Sequence, residues 1–211
     1  MKTQTNGHTE LFTIGHSNHE WPEFVALLHQ HSITAIADVR SSPYSKFNPQ
    51  YNQNVLVQTL NDEGVQYVFM GRELGARRHE SECYVGRQAS YEKIAQSPLF
   101  MDGVERLLKG AKEHRIALMC SEKDPITCHR MVLVCKAIRT FGLQITHVLD
   151  DGRLETNAEA EQRLLAASGL PETDLFRSRD ELIAEAYQKQ AERIAWVEPE
   201  ESSMDRLARL G

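Results

Sequence analysis

The stretch IALMCSEKDPITCHRMVLVCKAIRTFGLQITHVL, residues 116–149, decides the fold. Its first five residues are apolar and fit a strand buried on both faces. Residues 127–141 read as a helix with Val132, Val134, Cys135 and Ile138 in its apolar part, and Gly142 stops it. Residues 143–149 return to an apolar, β-branched run, a second strand. Strand, helix, strand is the parallel crossover unit, and its hand is expected to be right-handed.

The same alternation extends outward to residue 11. Residues 11–15 form a short apolar run ending in glycine, read as a first strand. Residues 21–31 follow as a helix, with Phe24, Leu27, Leu28 and His31 on one face. Residues 33–39 and 65–70 read as two more strands, separated by a Pro/Ser/Asn loop at 41–50 and a helix at 52–63. A long loop carries Gly71, Arg72, Gly75, Arg77 and Arg78. Residues 98–115 form a helix with Val104, Leu107, Leu108 and Ala111 inward. Five apolar strands among helices predict a three-layer, Rossmann-like or flavodoxin-like α/β domain over residues 11–150, with a mostly parallel sheet. Strand order is not readable from this pattern.

Residues 151–211 read as a mainly helical C-terminal extension. One helix runs from about Asn157 to Ala166. Ser178 followed by Glu181 forms a capping box for another, whose stripe is Leu182, Ile183, Ala186, Tyr187 and Ile194. That stripe can pack on the sheet domain or on a second copy of the chain, so a homo-oligomer through this helix is a candidate partner arrangement.

Composition narrows the class. The 211 residues are 41% hydrophobic and 26% charged, which excludes collagen-like, low-complexity and wholly disordered chains. No apolar run approaches membrane-spanning length, so no membrane partner is expected. The first ten residues lack a secretory leader pattern, and the four cysteines therefore read as free thiols in a reducing cytoplasm. Residues 1–150 carry 16 basic and 16 acidic residues, while 151–211 carry 8 and 14, so the whole net charge of −6 sits in the tail. This is not a polybasic DNA-binding chain, although a local basic patch remains compatible with it.

Ligands of open parallel sheets bind beyond the carboxyl ends of the strands. The residues expected there are Gly15, His16 and Ser17 after the first strand, and Asp38 and Arg40 after the second. Arg72, Arg77 and Arg78 follow the third. Cys120, Glu122, Thr127, Cys128, His129 and Arg130 follow the fourth. Five arginines (40, 72, 77, 78 and 130) suit a phosphate or carboxylate, because a guanidinium presents a planar fork. Cys128 at a helix start is the candidate nucleophile, with His16 or Glu122 as base and Asp38 as acid/base or arginine orienter. His129 is not read as its dyad partner, since neighbouring helix residues do not face each other.

Four of these segments resemble one family. T-I-G-H-S at 13–17, D-V-R-x-x-P at 38–43, L-G at 74–75 and C-x-E-x-x-P-x-x-C-H-R at 120–130 fall in order, as in the uncharacterised bacterial family called domain of unknown function 488. The resemblance covers about residues 11–150. It implies an α/β protein, brings no established reaction, and marks Gly15, His16, Ser17, Asp38, Arg40, Pro43, Gly75, Glu122, Cys128, His129 and Arg130 as motif residues.

Sharper identities fail on spacing. G-H-S-N-H-E replaces the G-x-G-x-x-G of a dinucleotide site, and there is no Walker A sequence. The loop S-E-K-D-P-I has two carboxylates and no glycine, unlike a phosphatase cradle. Cys120, Cys128 and His16 contain no C-x2–4-C pair, so no metal is expected, and the cofactor is left unspecified. The expectation is a cytoplasmic enzyme acting on a small phosphate- or carboxylate-bearing molecule, with nucleotide-like compounds among the candidates. Two alternatives stay open. One is a nucleic-acid-binding module using Lys46, the loop arginines and the aromatics Tyr44, Phe47 and Tyr51. The other is a non-catalytic ligand-sensing domain.

Overall fold

A computed structural model describes residues 10–200. All five expected strands form: β1 (Glu10–Gly15), β2 (Ala35–Asp38), β3 (Gln66–Phe69), β6 (Ile116–Cys120) and β7 (Gln144–Val148). They pair in parallel, in the order β3-β2-β6-β1-β7. A sixth strand, β8 (Leu154–Thr156), adds to β7 in antiparallel fashion. It was not expected, because three residues with one buried position carry no period-2 signal. A two-stranded hairpin, β4 (Tyr84–Val85) and β5 (Gln88–Ala89), stands apart.

The sheet is covered on both faces. Phe12, Ile14 and Ile36 point to one side, against Phe24, Leu27 and Leu28 of α1 (Trp21–Gln30) and Leu56 and Leu60 of α2 (Gln53–Asp62). Leu11, Ala37 and Leu118 point to the other. There they meet α4 (Tyr91–Gln96), α5 (Pro98–Gly110), the helical segment 130–141, α7 (Asn157–Ala167) and α8 (Arg179–Ile194). The architecture is a three-layer α/β fold.

Several local expectations need correcting. The long loop after β3 holds a short helix, α3 (Gly71–Leu74), the hairpin and α4. The helix 98–115 ends at Gly110. The helix read over 127–141 is composite: a 3-10 turn at Pro125–Thr127, a π-helical stretch at Arg130–Cys135, one α turn at Lys136–Ile138 (α6) and a final 3-10 turn. Gly142 closes it at φ 76, the left-handed conformation expected of a terminal glycine.

The tail is part of the same core. Thr156 caps α7 and forms a capping box with Glu159. Ser178 and Glu181 form the expected box on α8, worth about 1 kcal/mol. Leu182, Ile183, Ala186 and Tyr187 are buried against the sheet domain, so this stripe is spent within the chain and is not offered to a second copy. No described helix is long and apolar enough to cross a membrane.

α1 and α2 follow their strands onto one face, while the helical segment after β6 turns to the other. The chain therefore parts at the carboxyl end of β6, where such sheets open a crevice.

Candidate functional site

The loop after β6 is held from every side. His16 N–H donates to the Cys120 carbonyl at 2.8 Å and Ser17 N–H to that of Ser121 at 3.0 Å. The approach is so close that a Cβ on Gly15 would lie 1.9 Å from the Glu122 carbonyl oxygen, which only glycine permits. Ser17 pays for the tight exit from β1 with a left-handed φ of 48. Arg130 is fully buried. Its Nη1 donates to the Glu122 carbonyl at 2.6 Å, Nη2 to that of Lys123 at 3.0 Å, and Nε to Thr13 Oγ1 at 3.3 Å. Arg130 thus shapes the loop from below and offers no fork to a ligand. Asp124 caps the turn at Pro125–Thr127 and is gripped by Arg163, while Gln190 of α8 donates to the Ile126 carbonyl.

Four reactive side chains converge above this base. Glu122 Oε2 lies 2.8 Å from Cys120 Sγ and 3.0 Å from Cys128 Sγ. His129 Nδ1 lies 3.5 Å from Cys120 Sγ and 4.0 Å from Cys128 Sγ. Cys128 is not inside a helix: its φ of −125 and ψ of 142 are extended. The rule that helical neighbours diverge therefore does not apply, and Cys128 and His129 do meet. His129 Nε2 donates to the Val39 carbonyl at 2.9 Å, which turns Nδ1 toward the sulfurs.

The electrostatics are uneven. Burial alone would raise the Cys128 thiol; hydrogen bonding from Cys120, the Arg130 charge and His129 override it and hold the thiol well below its ordinary value. The Arg130 backbone N–H adds a 3.4 Å contact to Cys128 Sγ. Cys120 moves the opposite way, raised by burial and by its bond to Cys128. Glu122 is raised by burial and by the Cys128 charge. For His129, burial opposes the charge, but Cys128 overcomes it and raises the imidazole. Two thiols and a carboxylate in one spot hold fewer negative charges than they could.

Beside the cluster lies a closed network. Arg40 donates to Asp38 through Nε at 2.8 Å and Nη2 at 2.6 Å, and also to the Tyr51 carbonyl at 2.8 Å. Tyr67 donates to Asp38 at 2.8 Å. His16 stacks on Tyr51 at 4.1 Å, accepts from Arg40 Nη1 through Nε2, and gives its Nδ1 proton to the Ser17 carbonyl. Burial, then Arg40, lowers its pKa to about 4, so it is neutral at physiological pH. His16 reaches neither sulfur by a hydrogen bond, and Asp38 has no oxygen left over.

The cluster opens on a cavity of about 360 Å³. Cys120, Glu122, Thr127, His129 and Arg40 line it, together with Ser41, Ser42, Tyr44, Tyr91, Arg77 and Trp196. Cys128 lies beneath, 1% exposed. The loop arginines separate into two roles. Arg78 is buried, its fork on Glu80 and on the carbonyls of Arg72 and Glu73. Arg72 is exposed and outside the lining. Arg77 stacks on Trp196 at 3.8 Å and makes no ion pair among the described residues. Sequence reading missed Tyr91, Ser41, Ser42 and Trp196. Trp196 gets there because the chain after α8 pairs with the hairpin, with Ala89 N–H donating to its carbonyl at 2.8 Å.

Neither the curated proteins nor the solved structures yield a match to this chain. A family model, Domain of unknown function DUF488, matches residues 20–136, a span that holds three of the four motif segments and the whole cluster but begins after Thr13–Ser17. More than half of the chain is matched, and the chain belongs to the DUF488 family.

Proposed function

We propose that this protein is an enzyme acting on a small phosphate- or carboxylate-bearing molecule, up to nucleotide size, held in the cavity at the carboxyl edge of the sheet. One observation carries the reading. Two thiols, a carboxylate and an imidazole converge within hydrogen-bonding range at the wall of a polar cavity that also presents Arg77. Scaffold clusters satisfy their polar groups internally; this one leaves acidic groups crowded together, the pattern of a reactive centre. Arg77 and the hydroxyls of Ser41, Ser42 and Thr127 are the anion-facing groups. Cys120 is the thiol a bound molecule meets, and the thiolate character resides on Cys128 below it.

A thermal-shift panel tests this, using phosphate, sulfate, small carboxylates, mononucleotides and short oligonucleotides. A ligand at 100 times its Kd stabilises by about 2.7 kcal/mol. The expected result is a shift with a simple anion or mononucleotide that Arg77→Ala removes, followed by turnover of a compound bearing that group. Tyr44 lines the cavity and Phe47 stands exposed on the same loop, so a shift confined to oligonucleotides would support a base-stacking module instead. Stabilisation without turnover would leave a sensor.

A further inference from the structure

We propose that Cys120, Cys128 and His129 are three fixed ligands of a zinc ion, with Glu122 in the fourth, cavity-facing position. The inference rests on the reading of the cavity as the working site and names the group that works there. Spacing along the chain argued against a metal, because seven residues separate Cys120, at the end of β6, from Cys128. The fold removes that objection: the 3-10 turn at Pro125–Thr127 folds the loop back and returns Cys128 to the strand end.

Geometry carries the inference. One donor atom from each of the four residues lies within 4.8 Å of every other. Zinc bonds of about 2.3 Å to sulfur and 2.0–2.1 Å to nitrogen give tetrahedral edges of roughly 3.3–3.8 Å. His129 Nδ1 is 3.5 Å from Cys120 Sγ, within that range, and 4.0 Å from Cys128 Sγ, a few tenths of an ångström beyond it, a gap that a small side-chain shift closes. Glu122 Oε2 sits 2.8 and 3.0 Å from the two sulfurs, tighter than a tetrahedral edge. An ion would move this carboxylate outward by under about 1 Å, and the residue stands at the exposed rim.

The surrounding shell is that of a ligand set. A metal-binding histidine gives its distal N–H to a carbonyl or carboxylate, which fixes the ring; His129 gives Nε2–H to Val39. A backbone N–H, that of Arg130, points at Cys128 Sγ. The donor chemistry, two thiolates with an imidazole, selects zinc over hard cations. The fork of Arg130 is committed to carbonyl oxygens, so its side chain gives neither sulfur a hydrogen bond. Three protein ligands with a displaceable fourth is the pattern of a catalytic zinc, which takes water or a substrate oxygen at that position.

The test is a zinc titration of the untagged full chain, freed of metal by chelator dialysis, against a chromophoric competing chelator. The expected result is one equivalent bound tightly. Cys120→Ser, Cys128→Ser and His129→Gln are each expected to weaken binding by 100-fold or more, and Glu122→Gln by about 10-fold. Cobalt in the wild-type chain is expected to give a thiolate charge-transfer band and intense tetrahedral visible bands. That readout does not depend on any variant folding. No tight equivalent, no charge-transfer band, or binding indifferent to the three substitutions would overturn the zinc site. Phosphate stabilisation of the zinc-free chain, lost in Arg77→Ala, is read separately. If it persists while zinc fails, only the metal falls. If zinc binds and no anion or turnover is found, the ion is structural and the enzyme reading falls.

Discussion

Two polar groupings lie side by side at the carboxyl edge of the sheet, built from similar residue types and finished differently. Asp38, Arg40, His16, Tyr51 and Tyr67 form a closed set: a bidentate ion pair, a phenol on the same carboxylate, and a neutral imidazole with both nitrogens used. Cys120, Glu122, Cys128 and His129 form an open set, with three acidic side chains around one ring and a cavity in front. The closed set is scaffold for the open one. Arg40, taken from sequence as an anion binder, is consumed in holding Asp38; Arg130 is consumed in holding the loop.

The largest effect should come from breaking the closed set. Asp38→Asn leaves the Arg40 charge buried without its partner, and is expected to cost about 3–5 kcal/mol in chemical denaturation. A cost under about 1 kcal/mol would mean the pair is not the scaffold it looks like.

Acid should come next, through a third buried site. His147 is fully buried, accepts from Thr13 Oγ1 at Nδ1 and donates through Nε2–H to Asn157 Oδ1. Burial, then Arg130, lowers its pKa to about 3. The folded chain keeps it neutral while the unfolded chain protonates it below about 6.5. Its contribution is therefore complete above that pH and declines as pH falls, by about 1.4 kcal/mol per unit down to about 3. His147→Gln should flatten this acid limb in denaturation curves taken from pH 7 to 4; an unchanged slope would assign the limb elsewhere.

Gly15→Ala sets a Cβ against the Glu122 carbonyl, where backbone must give. We expect about 1–3 kcal/mol of destabilisation, and a weaker ligand response because the loop carrying Cys120 and Glu122 is displaced. The smallest effect belongs to Arg77→Ala. Its stack on Trp196 is exposed, worth about 0.5–1 kcal/mol, so stability should barely change while anion binding is lost.

The sheet was legible because each of the five strands falls in a short, largely apolar stretch between helical or turn signals. β8 was not, since an antiparallel edge strand of three residues looks like loop. Each member of the open set was legible as a residue, and its convergence was not. Extended backbone at Cys128 overturned a sound rule about helix neighbours, and only the returning 3-10 turn brings the two cysteines together. Trp196 escaped notice because it lies 76 residues beyond Cys120 and arrives by strand pairing with the hairpin.

Thermal denaturation of three proteins, with and without one equivalent of zinc in metal-free buffer, tests the division most directly. The account predicts that wild type gains stability with zinc. Cys120→Ser should melt within about 4 °C of metal-free wild type and ignore zinc. Asp38→Asn should melt about 10 °C lower yet still gain from zinc, at 2–4 °C per kcal/mol for a chain of this size. The reverse pattern, with zinc response lost in Asp38→Asn and kept in Cys120→Ser, would contradict it.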